Sequence, residues 1–454
     1  MSTTTTEHIV LTSIRTSPPS QQSRPALALA EAEDPPENAT YSMTAVPDGG
    51  YGWTIVLCGA MMAFWSNGII NCWGVLQAAL LNSKLEHVPT STLSFVGSLG
   101  LGLSAGLGIL SIKSIRYVGS RITALLGVLI MGISLIGSGL CTRTSNVGGL
   151  FGTAGLTAGV GMSMTYTVSN ILPVQYFSGR LGLANGLVKL GGGIGGCVMA
   201  IALDALNHRV GIQWTFMIQG LLTIGTGLPA AYFLVDRVPL RNTPFVDLEM
   251  FRSLPFVALF LAGVIGTFAL FVPPYFLPLF AQSMGLSSSM GAGLVAAFNA
   301  CNALGRFIAG PLCDRIGPVN MFLITMALQA TSMLAIWPVS SSLGPLMVFA
   351  MLNGIGNGSF FTTLPTVAAG MFGPGRAPVA VTMSVAGWAL GYFVGTPVAG
   401  YLLQAAGGDG ENAGIQSIDV YRPAIFYAGG VATLSTAFVL FARMKMERSF
   451  KKRV

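Results

Sequence analysis

Charge is what this sequence has least of. Asp, Glu, Lys and Arg make up 9% of its 454 residues, against roughly 25% in soluble proteins. So few charges cannot cover the surface of a soluble chain of this size. Histidine is scarcer still, with His8, His87 and His208 the full set. The six cysteines show neither disulfide nor zinc spacing and read as packing residues. Neither a metal nor a cofactor is implied.

What fills the space is apolar: 52% of the residues are hydrophobic, and 59 are glycine. A membrane span needs about 20 mostly apolar residues. Charge-free runs at 49–83, 88–112, 122–142, 144–179 and 210–235 hold one span each, and 181–203 holds another around Lys189. The runs 253–305 and 316–375 hold two apiece, while 377–408 and 423–442 hold one each. This predicts an all-α membrane protein of twelve transmembrane helices. The alternating pattern of an outer-membrane barrel is absent from these runs.

Lys and Arg placement predicts orientation. With the N-terminus inside, fifteen basic residues fall in short cytoplasmic loops and the C-terminal tail, from Lys113 to Arg453. Only Lys84, Arg143, Arg209 and Arg422 fall outside. The net charge of +7 is thus topological, and no nucleic-acid partner follows from it. Residues 1–47 read as a disordered cytoplasmic tail and 446–454 as a short one. A six-helix half at 48–235 and another at 254–445 flank a charged cytoplasmic linker at 236–253. The halves echo each other: "IKSIRYVG" at Ile112–Gly119 answers "GPLCDRIG" at Gly310–Gly317, and "YFSGR" at Tyr176–Arg180 answers "MFGPGR" at Met371–Arg376. Such a repeat is the plan of a transporter whose substrate site lies between the halves at mid-membrane.

The segment Gly310–Gly317, with Gly310, Asp314, Arg315 and Gly317, resembles the loop motif of the major facilitator superfamily. "DGGYGW" at Asp48–Trp53 resembles the entrance signature of the monocarboxylate transporters, particularly their fungal relatives. The resemblance spans residues 46–445. Read physically, Asp48 can meet the orphan N–H groups of the first helix. Gly49, Gly50 and Gly52 allow a close turn, and Tyr51 and Trp53 sit at belt depth. The stretch seats helix one; a latch that moves during transport is the other reading.

Enzymatic motifs fail on context. "GLSAG" at Gly102–Gly106 lacks a strand–turn–helix setting and partner residues. "GGGIGG" at Gly191–Gly196 follows no strand, so close helix packing is expected there instead. Pro273, Pro274 and Pro278 should kink the seventh span where freed carbonyls line a cavity.

Two cations stand out. Lys189 lies roughly 13 Å in from Arg180, and Arg306 roughly 12 Å in from Asp314, at 1.5 Å per residue. An ionisable group at the bilayer centre costs at least ~2.5–3.5 kcal/mol and marks a functional site by default. Snorkelling of Lys189, or donation from Arg306 to backbone carbonyls, are the structural alternatives. No acid falls at that depth in the sequence, so the natural counter-ion is the substrate, an anion, for which Arg offers a bidentate fork. The resemblance implies that Arg306 occupies the place of a substrate-engaging helix-eight Arg. It also places Asn302 where those transporters carry an Asp, and Asn71 where they carry a helix-one Lys. The proton-handling pair is therefore missing, which argues against proton–lactate symport.

The expected activity is alternating-access transport of a small or medium organic anion, with Arg306, Lys189, Asn71, Asn302, Asn67, Asn299, Tyr166, Asn170 and Tyr275 as cavity candidates. Export of a secondary metabolite, import of a vitamin-like compound, and a non-transporting nutrient sensor are the alternatives. A monomer in the plasma membrane is expected, with the vacuole as the other location.

Overall fold

The computed structural model describes residues 49–83, 85–177, 180–237, 247–407 and 418–447. The expected N-terminal tail, Asp48, linker residues 238–246 and the last residues lie outside them.

Apolar runs of this length satisfy their backbone internally, and in a membrane that leaves only helices or closed barrels. Helices form throughout the described residues. The first crossing is α1 (Tyr51–Asn71) and α2 (Trp73–Leu81), broken at Cys72. Next come α3 (Thr90–Gly106) and α4 (Gly108–Arg143). The latter turns a corner at Gly119, whose φ of 82° favours glycine. The fourth crossing is α5 (Val147–Leu150), a π-helical stretch at Phe151–Thr157 and α6 (Ala158–Tyr176). Helix α7 (Leu181–Tyr232) folds back at Gly211, with a φ of 78°.

The second half repeats the plan. Helices α8 (Leu254–Leu270) and α9 (Val272–Ser283) break at Phe271, as the first crossing breaks at Cys72. Helix α10 (Ser288–Ile316) reaches a corner at Gly317, φ 95°, before α11 (Pro318–Thr331). Gly317 is thus the counterpart of Gly119 in backbone geometry, as the sequence echo implied. Helix α12 (Leu343–Ala405) runs 63 residues, far longer than one bilayer crossing, and α13 (Arg422–Met446) closes the half.

Among the described residues, nine segments are long and apolar enough to cross a membrane. Three further crossings complete the twelve: α3 with the start of α4, the second pass of α7, and the first part of α12.

Small residues set the helix spacing. A side chain at Gly191 or Gly195 would strike the backbone of α1 at Ala60 or Phe64, while Gly193 faces Ala303 of α10 across the halves. The glycine run of α7 therefore packs against both neighbours. Gly354 and Gly358 do the same for α12 against α10.

The entrance stretch is seated by contacts rather than by a described cap. A Cβ on Gly52 would lie 2.8 Å from the Phe177 ring, and the Tyr51 hydroxyl donates to the Phe233 carbonyl at 2.6 Å. Trp53 meets Phe177 edge-on at 5.0 Å. Gly50 carries a φ of 59°, and the Gly49 carbonyl accepts from Gly52 at 3.2 Å. One of the fifteen basic residues counted on the cytoplasmic side is packed inside the protein. Arg443 is buried within α13, donating to Asn320 and to the Glu447 carbonyl.

Candidate functional site

Hydrogen bonds between the halves gather at the end remote from the linker. Asn82 donates to Gln282 at 2.8 Å, Ser91 to Gln404 at 3.0 Å, and Ser289 to Asp204 at 2.8 Å. His208 and Ser288 bond at 2.7 Å. On the same side, the two broken crossings touch at their breaks: a Cβ on Gly74 would lie 2.7 Å from the Tyr275 carbonyl oxygen.

At the depth of the first break, Cys72, and the second, Phe271, a small cavity opens between the halves. Its first-half wall carries the polar groups Ser66, Asn67, Asn71, Tyr166 and Lys189, set among Ile70, Leu101, Ala105 and Met162. Its second-half wall is aromatic, with Phe271, Phe361, Trp388 and Tyr392 surrounding Arg306. These rings brace one another edge to face, Phe271 to Tyr392 at 5.3 Å and Phe361 to Trp388 at 5.6 Å.

Both cations are held from behind. The Lys189 ammonium donates to Asn170 Oδ1, and Asn170 in turn donates to the Tyr166 carbonyl at 2.6 Å. The ammonium also lies 4.7 Å from the centre of the Tyr166 ring. Arg306 lays its guanidinium 4.7 Å from the Phe361 ring centre and donates Nε to Asn302 Oδ1 at 2.9 Å. Asn302 donates to Asn357 Oδ1 at 2.6 Å, and Asn357 donates to the Leu270 carbonyl at 2.7 Å. Each cation thus has a neutral amide and an aromatic face, which orient it without cancelling its charge. Ion pairs among the described residues, such as Arg422 with Asp419, lie at surfaces and involve neither Lys189 nor Arg306. Among the described residues, no Asp or Glu lines the cavity.

The candidates therefore divide. Arg306, Lys189, Asn71, Asn67 and Tyr166 line this cavity together. Asn302 and Asn170 stand behind it as amide supports. Asn299 does not line this cavity: it shares the helix face of Arg306 but lies two turns, roughly 10 Å, away along α10, where it is fully buried against Gly196 at the α7–α10 contact. Tyr275 faces a second chamber. Ser104 does line the cavity, with its hydroxyl bonded back to the Leu101 carbonyl at 2.6 Å.

The sequence reading missed the four aromatic residues and Asn357. The aromatics sit in uniformly apolar runs and carry no local mark. Asn357 has one, a lone amide among the small residues of "GIGNG" at Gly354–Gly358.

Residues 53–301 and 291–454 match the Major Facilitator Superfamily. Among curated relatives, an MFS-type transporter 1 of Ophiocordyceps sp. is 26% identical over 88% of each chain. The aspyridones efflux protein apdF of Emericella nidulans is 26% identical, covering 87% of this chain and 80% of its own. The agnestins efflux protein AgnL12 of Paecilomyces divaricatus is 26% identical over 87% of this chain and 88% of its own. In fold, the chain is similar to the nucleoside transporter NupG, with a TM-score of 0.67, 13% identity, and coverage of 85% of this chain and 98% of that one. It also resembles a bacterial homologue of the human lysosomal transporter Spinster in an inward-facing conformation, with a TM-score of 0.62, 16% identity, and coverage of 87% and 96%. Repeat, cavity and matched residues agree: this chain belongs to the Major Facilitator Superfamily of membrane transporters.

Proposed function

We propose that this transporter exports an organic anion of the secondary-metabolite class. The observation that carries the charge preference is the cavity itself, where Lys189 and Arg306 share one space with no acidic side chain lining it among the described residues. Two desolvated cations attract an anion more strongly than the same groups would in water. Export is supported by relatives named as efflux proteins for aspyridones and agnestins. The second reading, uptake of a simple monocarboxylate, draws on the "DGGYGW" signature and on the place of Arg306. An aromatic wall favours a substrate with an apolar body over a compact monocarboxylate.

The deciding experiment compares cells and medium of a strain lacking this gene with its parent by untargeted mass spectrometry. An acidic metabolite should fall in the medium and rise in the cells. Depletion of an acid from parental medium, but not from mutant medium, would instead establish uptake.

A further inference from the structure

Toward the end remote from the linker, two second-half residues are seated on first-half glycines. Asn299 of α10 is fully buried, with its amide face-on to Gly196. A Cβ on that glycine would lie 2.7 Å from the amide carbon and 2.9 Å from both the amide nitrogen and oxygen. Tyr275 of α9 meets Gly74 through its backbone and is also fully buried. Its side chain reaches into the first half: every other residue around the small gap it faces, Ile69, Trp73, Leu101 and Phe216 among them, belongs to that half.

Both residues carry polar atoms without partners. Nδ2 and Oδ1 of Asn299 and the hydroxyl of Tyr275 make no hydrogen bond among the described residues. Their polar neighbours are engaged elsewhere. The Gly196 carbonyl accepts from Cys72 Sγ at 3.0 Å, and the Trp73 indole N–H donates to the Leu93 carbonyl at 3.1 Å. Asn302, one turn along α10 from Asn299, is by contrast paired on both sides. Buried polar groups are nearly always paired, so these orphans need a cause. Apolar side chains of the same shape would fill both seats without the desolvation penalty. Position supplies the cause: both groups lie on surfaces that must part whenever the remote end opens.

We infer that Asn299 and Tyr275 are a built-in opposition to closure of the remote end. Their unpaired groups raise the free energy of the closed conformation and are hydrated when the halves separate there. Against them stand the hydrogen bonds that hold this end shut, Asn82 with Gln282, Ser91 with Gln404 and Ser289 with Asp204. The balance keeps two conformations close enough in energy to interconvert. This holds whatever the substrate, because it rests on the contact between the halves and not on the charged cavity.

The test uses the full-length transporter carrying Gln282→Cys, labelled by an impermeant thiol reagent without substrate, with the protein lacking that substitution as background. The labelling rate follows the fraction of molecules open at the remote end. Tyr275→Phe deletes only the hydroxyl, and Asn299→Leu keeps the branched shape without the amide. Each should slow labelling about ten-fold and raise the melting temperature in detergent. Together they should slow it about a hundred-fold, as the two seats are independent. Tyr275→Ala, which empties the seat in the first half, should instead speed labelling. A merely structural role predicts the opposite sign for the first two variants, with faster labelling and a lower melting temperature. Unchanged or faster labelling in Tyr275→Phe or in Asn299→Leu overturns the assignment for that residue, and in both it overturns the inference.

Discussion

The side-chain amide of Asn357 donates to the carbonyl oxygen of Leu270 at 2.7 Å. That carbonyl ends α8, and the residue four places on, which would donate to it in a continuous helix, is Pro274. Proline has no N–H, so the break leaves an acceptor without its helical donor. Asn357 fills the vacancy, and its Oδ1 accepts from Asn302, which accepts from Arg306. Every donor and acceptor in the relay has one allowed direction. The guanidinium is aimed by the helix break. Asn357→Leu should cost about 1–3 kcal/mol in stability, since two buried groups lose partners. It should also weaken anion affinity about ten-fold while sparing a neutral isostere. Thermal unfolding in detergent and anion titration measure the two effects separately.

Arg306→Ala should abolish anion transport at normal surface expression. Arg306→Lys keeps the charge but loses the planar fork and the stacking on Phe361, so affinity should fall between wild type and alanine. Lys189→Ala should weaken anions by roughly 10- to 100-fold, the range of a lost charge-assisted hydrogen bond. Lys189→Arg should restore part of that loss. Uptake into proteoliposomes gives all four values, and normal anion transport by both alanine variants would remove the site.

Among the described residues, the cavity wall holds no carboxylate or histidine to carry a proton. A sulfonate analogue, charged at all working pH values, should therefore be transported as well as the matching carboxylate. Uphill accumulation of that sulfonate driven by a proton gradient alone would show a carrier elsewhere in the protein.

Gly74 is the point where the two broken crossings meet, and no side chain fits there while they are closed. Gly74→Val should hold apart the end remote from the linker and stop turnover. A single cysteine placed at Gln282 reports this directly, since its labelling by an impermeant thiol reagent should rise in the valine variant.

Basic residues are concentrated beside the linker, so a tag inserted in the linker should be reached by antibody only after cells are permeabilised. Labelling in intact cells would invert the assumed orientation.

How much of this was legible beforehand follows from where each signal resides. Membrane residence, the number of crossings and the repeat are read directly from the sequence, because hydrophobic length and turn glycines such as Gly119 and Gly317 act over a few residues. Lys189 and Arg306 were legible for the same reason: a charge in an apolar run contrasts with its neighbours. The break at Phe271 was announced by Pro273 and Pro274, whereas the matching break at Cys72 carried no proline and was not foreseen. Tertiary structure alone decided which apolar residues became cavity wall. Phe361, Trp388 and Tyr392 differ from the other aromatics packed inside the bundle only in the face their helix turns inward, and that depends on contacts with other helices. It likewise decided that Asn302 supports Arg306 while Asn299, one turn earlier on α10, packs against Gly196. Local composition sets what each segment is; the pairing of segments distant in the chain sets what each side chain meets.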